Sequence, residues 1–429
     1  MRKTFSFNIE HPSDFKNNLI GWAQQFDQVV WLDSNDYHLK YQDYDSIIAI
    51  DAMTCIQTDH EEAFEKLKEY QAITSDWIFG YLTYDLKNDL EALQSQNFDG
   101  LHFPELFFFQ PKKIILIKGN KGTAYYLNMV DDEFTEDLAQ INNYVSIDED
   151  RRDQVKISLR MTKDAYFEKV NDMLRHIQRG DIYEANFCQE FYAENTYINP
   201  LETYKKLNQI SKTPFATFLK VDDKYLLSAS PERYIKKIGE ELISQPIKGT
   251  AKRSTDTKED QELKLRLETD EKERSENIMI VDLVRNDLSK LASKGSVEVK
   301  ELCKVYTFQQ VHQMISTVSA KIRPEIKPVD VLAATFPMGS MTGAPKISAM
   351  KIIEELEESK RGLYSGSVGY FSPEGNFDFN VVIRSILYNA SLKYVSYSVG
   401  GAITAKSDPL NEYEECLIKA KAMRTVLEG

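Results

Sequence analysis

Several apolar runs in this sequence are joined by turns of only a few residues. Phe215 to Lys220 is followed closely by Tyr225 to Ser228, and Ile114 to Lys118 meets Thr123 to Leu127 through Gly119-Asn120-Lys121-Gly122. Tyr364 to Ser372 and Phe379 to Tyr388 flank Pro373-Glu374-Gly375-Asn376. Pro, Gly and Asn supply the backbone angles a tight turn needs. A parallel pair needs a crossover of about a dozen residues, so strands joined this briefly must be antiparallel. The class is therefore α+β and not a parallel βαβ sheet.

Further strands are predicted at Val29-Val30-Trp31-Leu32 and Ile47-Ile48-Ala49-Ile50, and a helix over Glu61 to Tyr70. Another helix is opened by Thr162, carries Phe167, Val170, Leu174 and Ile177 on one face, and ends at Gly180. Residues 1 to 150 form an N-terminal region and residues 155 to 425 a second one. The acidic stretch Asp131 to Arg152 is the expected linker.

Composition narrows the function. Of the 429 residues, 42% are apolar, enough for a large core, yet no run is long enough to span a membrane. The N-terminus lacks an apolar signal segment, so a cytoplasmic location is expected. Cys55, Cys188, Cys303 and Cys416 are far apart, which argues against disulfides or zinc. With a net charge of −14 and no basic block, nucleic-acid binding is not expected. Any anionic substrate must be held by a local cluster of positive groups.

Four segments carry candidate chemistry. Glu273 and Glu276 head one apolar helix; Glu412 and Glu415, with Lys419 four residues on, share a face of another that Asp408 and Pro409 open. Two such carboxylate pairs suit a hard cation, but spacing alone points rather to a solvated, salt-bridged helix face. Phe336 to Lys346 resembles a phosphate loop without the Gly-Lys-Ser/Thr signature. A glycine turn at a helix start offers N–H groups to an anion, or is merely a cap. Lys248, between Ile247 and Gly249, is either partly desolvated, with a depressed pKa that frees a nucleophilic amine, or an ordinary solvated lysine. Glu232, just past a strand, is either a general acid or a turn residue. Arg384 lies in the apolar run Val381 to Ile386, where a mid-strand charge calls for a partner in the protein or an anionic ligand.

In this order, these segments resemble the chorismate-utilising enzymes. The likeness rests on Gly180-Asp181-Ile182-Tyr183, Ser230-Pro231-Glu232, Pro246-Ile247-Lys248-Gly249-Thr250 and Glu276 to Leu283. Arg285-Asn286-Asp287-Leu288, Thr342-Gly343-Ala344-Pro345-Lys346, Tyr364, Arg384 and Glu412-Tyr413-Glu414-Glu415 extend it. Trp31-Leu32-Asp33-Ser34 and Gly80 to Asp85 match more loosely. The resemblance implies one intertwined unit of two antiparallel sheets packed face to face, with helices outside. It also implies Mg²⁺ held by Glu276 and Glu415, with Glu273 and Glu412 as water-bridging carboxylates. Chorismate would be bound by Tyr364, Arg384, Thr250 and the backbone at Gly400 and Gly401. Lys419 and the turn of Gly343, Ala344 and Lys346 would complete the positive lining.

Within that family, position 248 separates branches. The anthranilate branch looks like Pro-Ile-Ala-Gly-Thr here; lysine marks the aminodeoxychorismate branch, in which its amine adds at C2 and Glu232 protonates the departing C4 hydroxyl. Ammonia then displaces the lysine, supplied by a separate glutamine amidotransferase subunit. Two positions depart from the usual pattern. Gln313 replaces a histidine, with His312 adjacent, and Glu184 replaces a glutamine. Anthranilate synthesis is the alternative activity, and an inactive, amino-acid-binding regulatory subunit the alternative of a different class.

Overall fold

The computed structural model describes residues 1–37, 40–145 and 154–429. Among the described residues every pairing between the named strands is antiparallel, and the strands form one hydrogen-bonded network that folds into two sheets. In the first, β1 (Arg2–Asn8) pairs with β6 (Lys121–Leu127), followed by β5 (Leu106–Lys118), β3 (Ser46–Thr58) and β2 (Gln28–Asp33). The order continues through β9 (Phe215–Val221), β10 (Lys224–Ser230), β19 (Ser385–Asn389), β20 (Tyr394–Thr404) and β8 (Glu184–Ala193). Two short strands, β7 (Ser158–Leu159) and β16 (Gly343–Ala344), share the outer edge of β8.

The long strands β3 and β5 bend into a second sheet through a register shift between Ala52 and Thr54. There β4 (Ile78–Leu82), β17 (Ser367–Phe371), β18 (Phe377–Asn380), β11 (Arg233–Ile238) and β12 (Glu241–Gln245) follow β5 in turn. β15 (Val311–Lys321) takes β12 and β13 (Ile247–Lys252) end to end on one edge and β14 (Glu298–Thr307) on the other.

Both faces of the first sheet are covered, which is why its strands read as unbroken apolar runs. Val30, Ile47 and Ala49 enter the layer that also holds Tyr81, Val368 and Tyr370 of the second sheet. Val29, Trp31, Ile48 and Ile50 point the other way, as strand alternation requires. On that outer side lie α1 (Pro12–Trp22), α4 (Phe134–Asn142), α5 (Lys163–Arg179), α6 (Pro200–Ser211), α10 (Lys346–Leu356) and α11 (Pro409–Glu428). Around the second sheet lie α2 (Ala63–Thr74), α7 (Thr257–Thr269), α8 (Glu271–Ser289) and α9 (Pro328–Thr335), and a single turn, α3 (Lys87–Leu90), follows β4. The fold is the expected pair of face-to-face antiparallel sheets with helices outside. Among the described residues no helix is long and apolar enough to cross a membrane.

Local signals held where they were strongest. Thr162 caps α5 by accepting from the Ala165 N–H, and Gly180 ends it at φ +83°. Asp408 accepts from Leu410 and Asn411 at the head of α11. Two expectations need correction. The linker of Asp131 to Arg152 is largely a 3₁₀ turn and α4, with Phe134 stacked on Phe5; its residues 146–152 lie outside the described residues. Phe379 to Tyr388 is not one strand: β18 ends at Asn380 in the second sheet and β19 starts at Ser385 in the first.

Candidate active site

The chain passes between the sheets twice at nearly the same place. Ser230 to Glu232 links β10 to β11, and Val381 to Arg384 links β18 back to β19. The two crossings are stitched together: Val381 N–H donates to the Glu232 carbonyl, Ser230 Oγ to the Val381 carbonyl, and Ala229 N–H to the Arg384 carbonyl. Glu232 and Arg384 are thereby fixed side by side on one cavity of about 510 Å³, a size suited to a small-molecule ligand. Arg384 is therefore not mid-strand as expected. It sits at φ +53°, a conformation uncommon for a side chain of its size.

Lys248 enters the same cavity from β13. The register of β13 against β15 slips between Ile247 and Thr250, and Gly249 takes φ +89°. Such a bulge re-aims the residue it contains. A Cβ on Gly249 would stand 3.1 Å from Glu273 Oε2, so glycine also leaves room for that carboxylate. Opposite stand α8 with Glu273 and Glu276, and α11 with Glu412, Glu415 and Lys419. Thr250, Tyr364 and Gly400 complete the lining among the expected residues. Gly401 adjoins it, since a Cβ there would lie 3.2 Å from Glu412 Oε2 and 3.9 Å from Glu415 Oε1.

Burial shifts these charges strongly. Glu232 is 5% exposed, and desolvation lifts its pKa to about 7 although Ser340 and Lys248 favour the anion. For Lys248 the expected depression is overturned. Burial does press its ammonium toward neutrality, but Glu184, Glu276 and Glu232 outweigh it and the pKa is raised. Arg384 forms no ion pair among the described residues; burial lowers its pKa, and Tyr364 and Glu415 offset that only in part. A half-buried guanidinium without a carboxylate is a ready anion site.

The acidic cluster behaves as a place short of positive charge. Burial raises Glu276 to about 7 and also raises Glu273 and Glu412. Glu415, nearer solvent, is lowered because Lys419 at 2.6 Å outweighs burial. Glu276 Oε1 is buried without a hydrogen-bond partner. The Lys272 ammonium stands 3.8 Å from Glu276 and 3.9 Å from Glu412, a cation already facing both helices. Among the described residues no three His, Cys, Asp or Glu side chains converge closely enough to hold a metal by themselves. Hard oxygen donors that leave positions open for water or substrate fit Mg²⁺.

Three expected residues lie elsewhere. Gly343 and Ala344 form β16 against Ala185 and Glu184, where a Cβ on Gly343 would meet the Glu184 carbonyl at 2.2 Å. Gly343 is where β16 closes on the β8 backbone. Lys346 is bound to Asp287 at 2.5 Å and to the Thr335 carbonyl, away from the cavity. Nor does His312 stand in for a catalytic histidine. Alternation along β15 aims Gln313 into the cavity, while His312 contacts Thr307 and Asp260. The cavity also takes Asn186 and Lys272, outside the expected residues, and Ser340 from the phosphate-loop-like segment. Lys272 had a signal, its i,i+4 spacing to Glu276, and Asn186 had none.

A stability measurement tests the Glu232 environment without reference to activity. Its pKa is higher in the folded chain than its ordinary 4.5. The folded state is therefore penalised for ionising it, starting as pH rises past 4.5 and fully above about 7. Glu232→Gln should stabilise the protein by on the order of 3 kcal/mol at about pH 8. The gain should vanish toward pH 4.5. Thermal melts of both proteins across that range read it directly, and a pH-independent difference would contradict this environment.

The sequence model of the chorismate binding enzymes matches residues 24–425. A rice (Oryza sativa subsp. japonica) protein named probable aminodeoxychorismate synthase, chloroplastic, is 34% identical over 403 residues, covering 84% of this chain and 44% of the relative. The chain thus spans less than half the length of that protein. Anthranilate synthase component 1 of Saccharolobus solfataricus is also 34% identical, over 362 residues, covering 84% of this chain and 83% of the relative. The crystal structure of anthranilate synthase component I from Streptococcus pneumoniae TIGR4 superposes with a TM-score of 0.78 at 24% identity. It covers 90% of this chain and 94% of that one, and shows the shared fold. Matched almost from end to end, this chain belongs to the chorismate binding enzyme family.

Proposed function

We propose that the protein aminates chorismate to 4-amino-4-deoxychorismate through a covalent adduct on Lys248. The two relatives named above point to different products at equal identity, so names do not decide between them. The observation that carries the reading is that Lys248 and Glu232 face one another across a single cavity, the second with a pKa of about 7. That value suits a carboxyl that must hold a proton at neutral pH and then release it. The Lys248 amine attacks C2 while Glu232 gives its proton to the C4 hydroxyl, which leaves as water. Ammonia then adds at C4 and displaces the lysine. Arg384 and Tyr364 hold the enolpyruvyl carboxylate. Glu276 and Glu415, with Glu273 and Glu412 beside them, would hold Mg²⁺, which when bound would supply Lewis-acid assistance. On this reading a glutamine amidotransferase subunit delivers the ammonia, and free ammonium replaces it in an assay.

Incubation with chorismate, Mg²⁺ and ammonium, with mass identification of the product, tests the reading. The expected product keeps its enolpyruvyl group; anthranilate with released pyruvate would overturn it. Arg384→Ala should raise KM for chorismate roughly tenfold to a hundredfold, the loss of a charge-assisted hydrogen bond at about 1.5–3 kcal/mol. Its melting temperature should change little, because no protein carboxylate loses a partner. A variant that unfolds while its folded fraction keeps normal kinetics would make Arg384 structural.

A further inference from the structure

Glu184 takes no part in the chemistry above, yet among the described residues it is the carboxylate within ion-pair distance of Lys248. It sits in β8, 2% exposed, with its backbone fixed on both sides, against Ala344 of β16 and Thr404 of β20. Its Oε1 lies 3.4 Å from Lys248 Nζ, and its Oε2 is buried with no hydrogen-bond partner. A buried carboxylate oxygen to which nothing donates is costly, so a stable fold keeps one where it is used.

The proton on Lys248 has to go somewhere before the amine can attack. The carboxylates acting most strongly on that ammonium are Glu184 from β8, Glu276 from α8 and Glu232 from the crossing between β10 and β11, and Glu273 and Glu415 of the two acidic helices also act on it. Glu232 must already carry a proton to release the hydroxyl as water. Glu276 faces the cation site with Glu412 and Lys272. Glu184 alone has no other duty. We propose that Glu184 is the catalytic base that takes the proton from the Lys248 ammonium and later returns it, an inference resting on the covalent reading.

The step balances. An Nζ–H bond breaks and a Glu184 O–H bond forms; the freed lone pair makes the Nζ–C2 bond as the C4–O bond breaks. The hydroxyl leaves as water with the Glu232 proton. Attack of ammonia at C4 breaks the C2–Nζ bond and releases a neutral lysine amine. The new C4 ammonium returns a proton to Glu232, and Glu184 returns its own to Lys248. Chorismate and ammonia become 4-amino-4-deoxychorismate and water, with both carboxyls restored.

The test measures adduct formation without ammonia, by rapid quenching and intact-protein mass, in the wild type, Glu184→Gln and Glu184→Asp. At about pH 7, Glu184→Gln should form the adduct about 100-fold more slowly. That deficit should shrink as pH rises and hydroxide takes over the proton. Glu184→Asp should recover much of the rate, and chorismate affinity should be unchanged in both. If Glu184 merely clamped the ammonium, its removal would free the amine and speed the adduct. A Glu184→Gln rate equal to or above wild type, or a deficit constant across pH, overturns the assignment. Adduct in the wild type with an equally fast Glu184→Gln sinks only the base. No adduct in the wild type sinks the covalent reading, and Glu184 with it.

Discussion

Lys248→Ala is expected to abolish synthesis of 4-amino-4-deoxychorismate, by about 10³-fold or more in kcat/KM, as removal of a nucleophile does elsewhere. The wild type, given chorismate and Mg²⁺ but no ammonia, should gain the mass of chorismate less one water. Peptide mapping should place the gain on Lys248. The bulge at Ile247 to Thr250 puts that amine in the cavity whatever the substrate does, so the variant removes chemistry without removing a strand. It does leave Glu184, Glu232 and Glu276 facing one another without their ammonium. Glu232 and Glu276, which burial already raises to about 7, then lose the Lys248 charge that favours their anions and should take up protons, and the variant should melt lower at alkaline than at neutral pH. Activity should be compared where both proteins are folded. A folded Lys248→Ala enzyme making the product at the wild-type rate would sink the covalent mechanism and leave the family assignment standing.

The parts of the fold written in local sequence were legible, and those made by distant segments were not. Pro373 to Asn376 and Gly119 to Gly122 set antiparallel pairing, and Asp408-Pro409 set the start of α11, because each acts within a few residues. The run from Phe379 to Tyr388 looked continuous because both sheets bury it. Nothing local marks Arg384 as the point where the chain leaves one sheet for the other. Acidic composition hid α4, although Phe134, Leu138 and Ile141 repeat at helical spacing and pack into the core. Lys346 pairs with Asp287, 59 residues earlier, a partner that no local pattern announces. The direction of the Lys248 shift is hidden from local sequence for the same reason. Ile247 and Gly249 announce desolvation, whereas the opposing carboxylates come from three other segments. Motif matching found most of the cavity wall, but electrostatics among its members needed the fold.

Loss of the cation site should be nearly as severe as loss of the lysine. Glu276 and Glu415 come from different helices, so either substitution weakens a pair that spans α8 and α11. Glu276→Gln keeps the shape and removes a carboxylate that burial already holds at a pKa of about 7. Folding stability should therefore be kept or raised, while affinity for a hard cation falls by at least about tenfold, because a neutral amide is a poor ligand for it. Glu415→Gln also releases Lys419 from its 2.6 Å ion pair, leaving that ammonium on the Gly400 carbonyl. Two readouts separate metal binding from general damage. Mg²⁺ should raise the melting temperature of the wild-type protein but not of either variant at the same concentration. Turnover should vanish at limiting Mg²⁺ and return in part as the ion is raised. Damage to the fold would lower activity at every Mg²⁺ concentration alike. Full activity of either variant at limiting Mg²⁺ would remove that carboxylate from the site, and a wild-type melting temperature indifferent to Mg²⁺ would leave Lys272 as the cation these helices were built to hold.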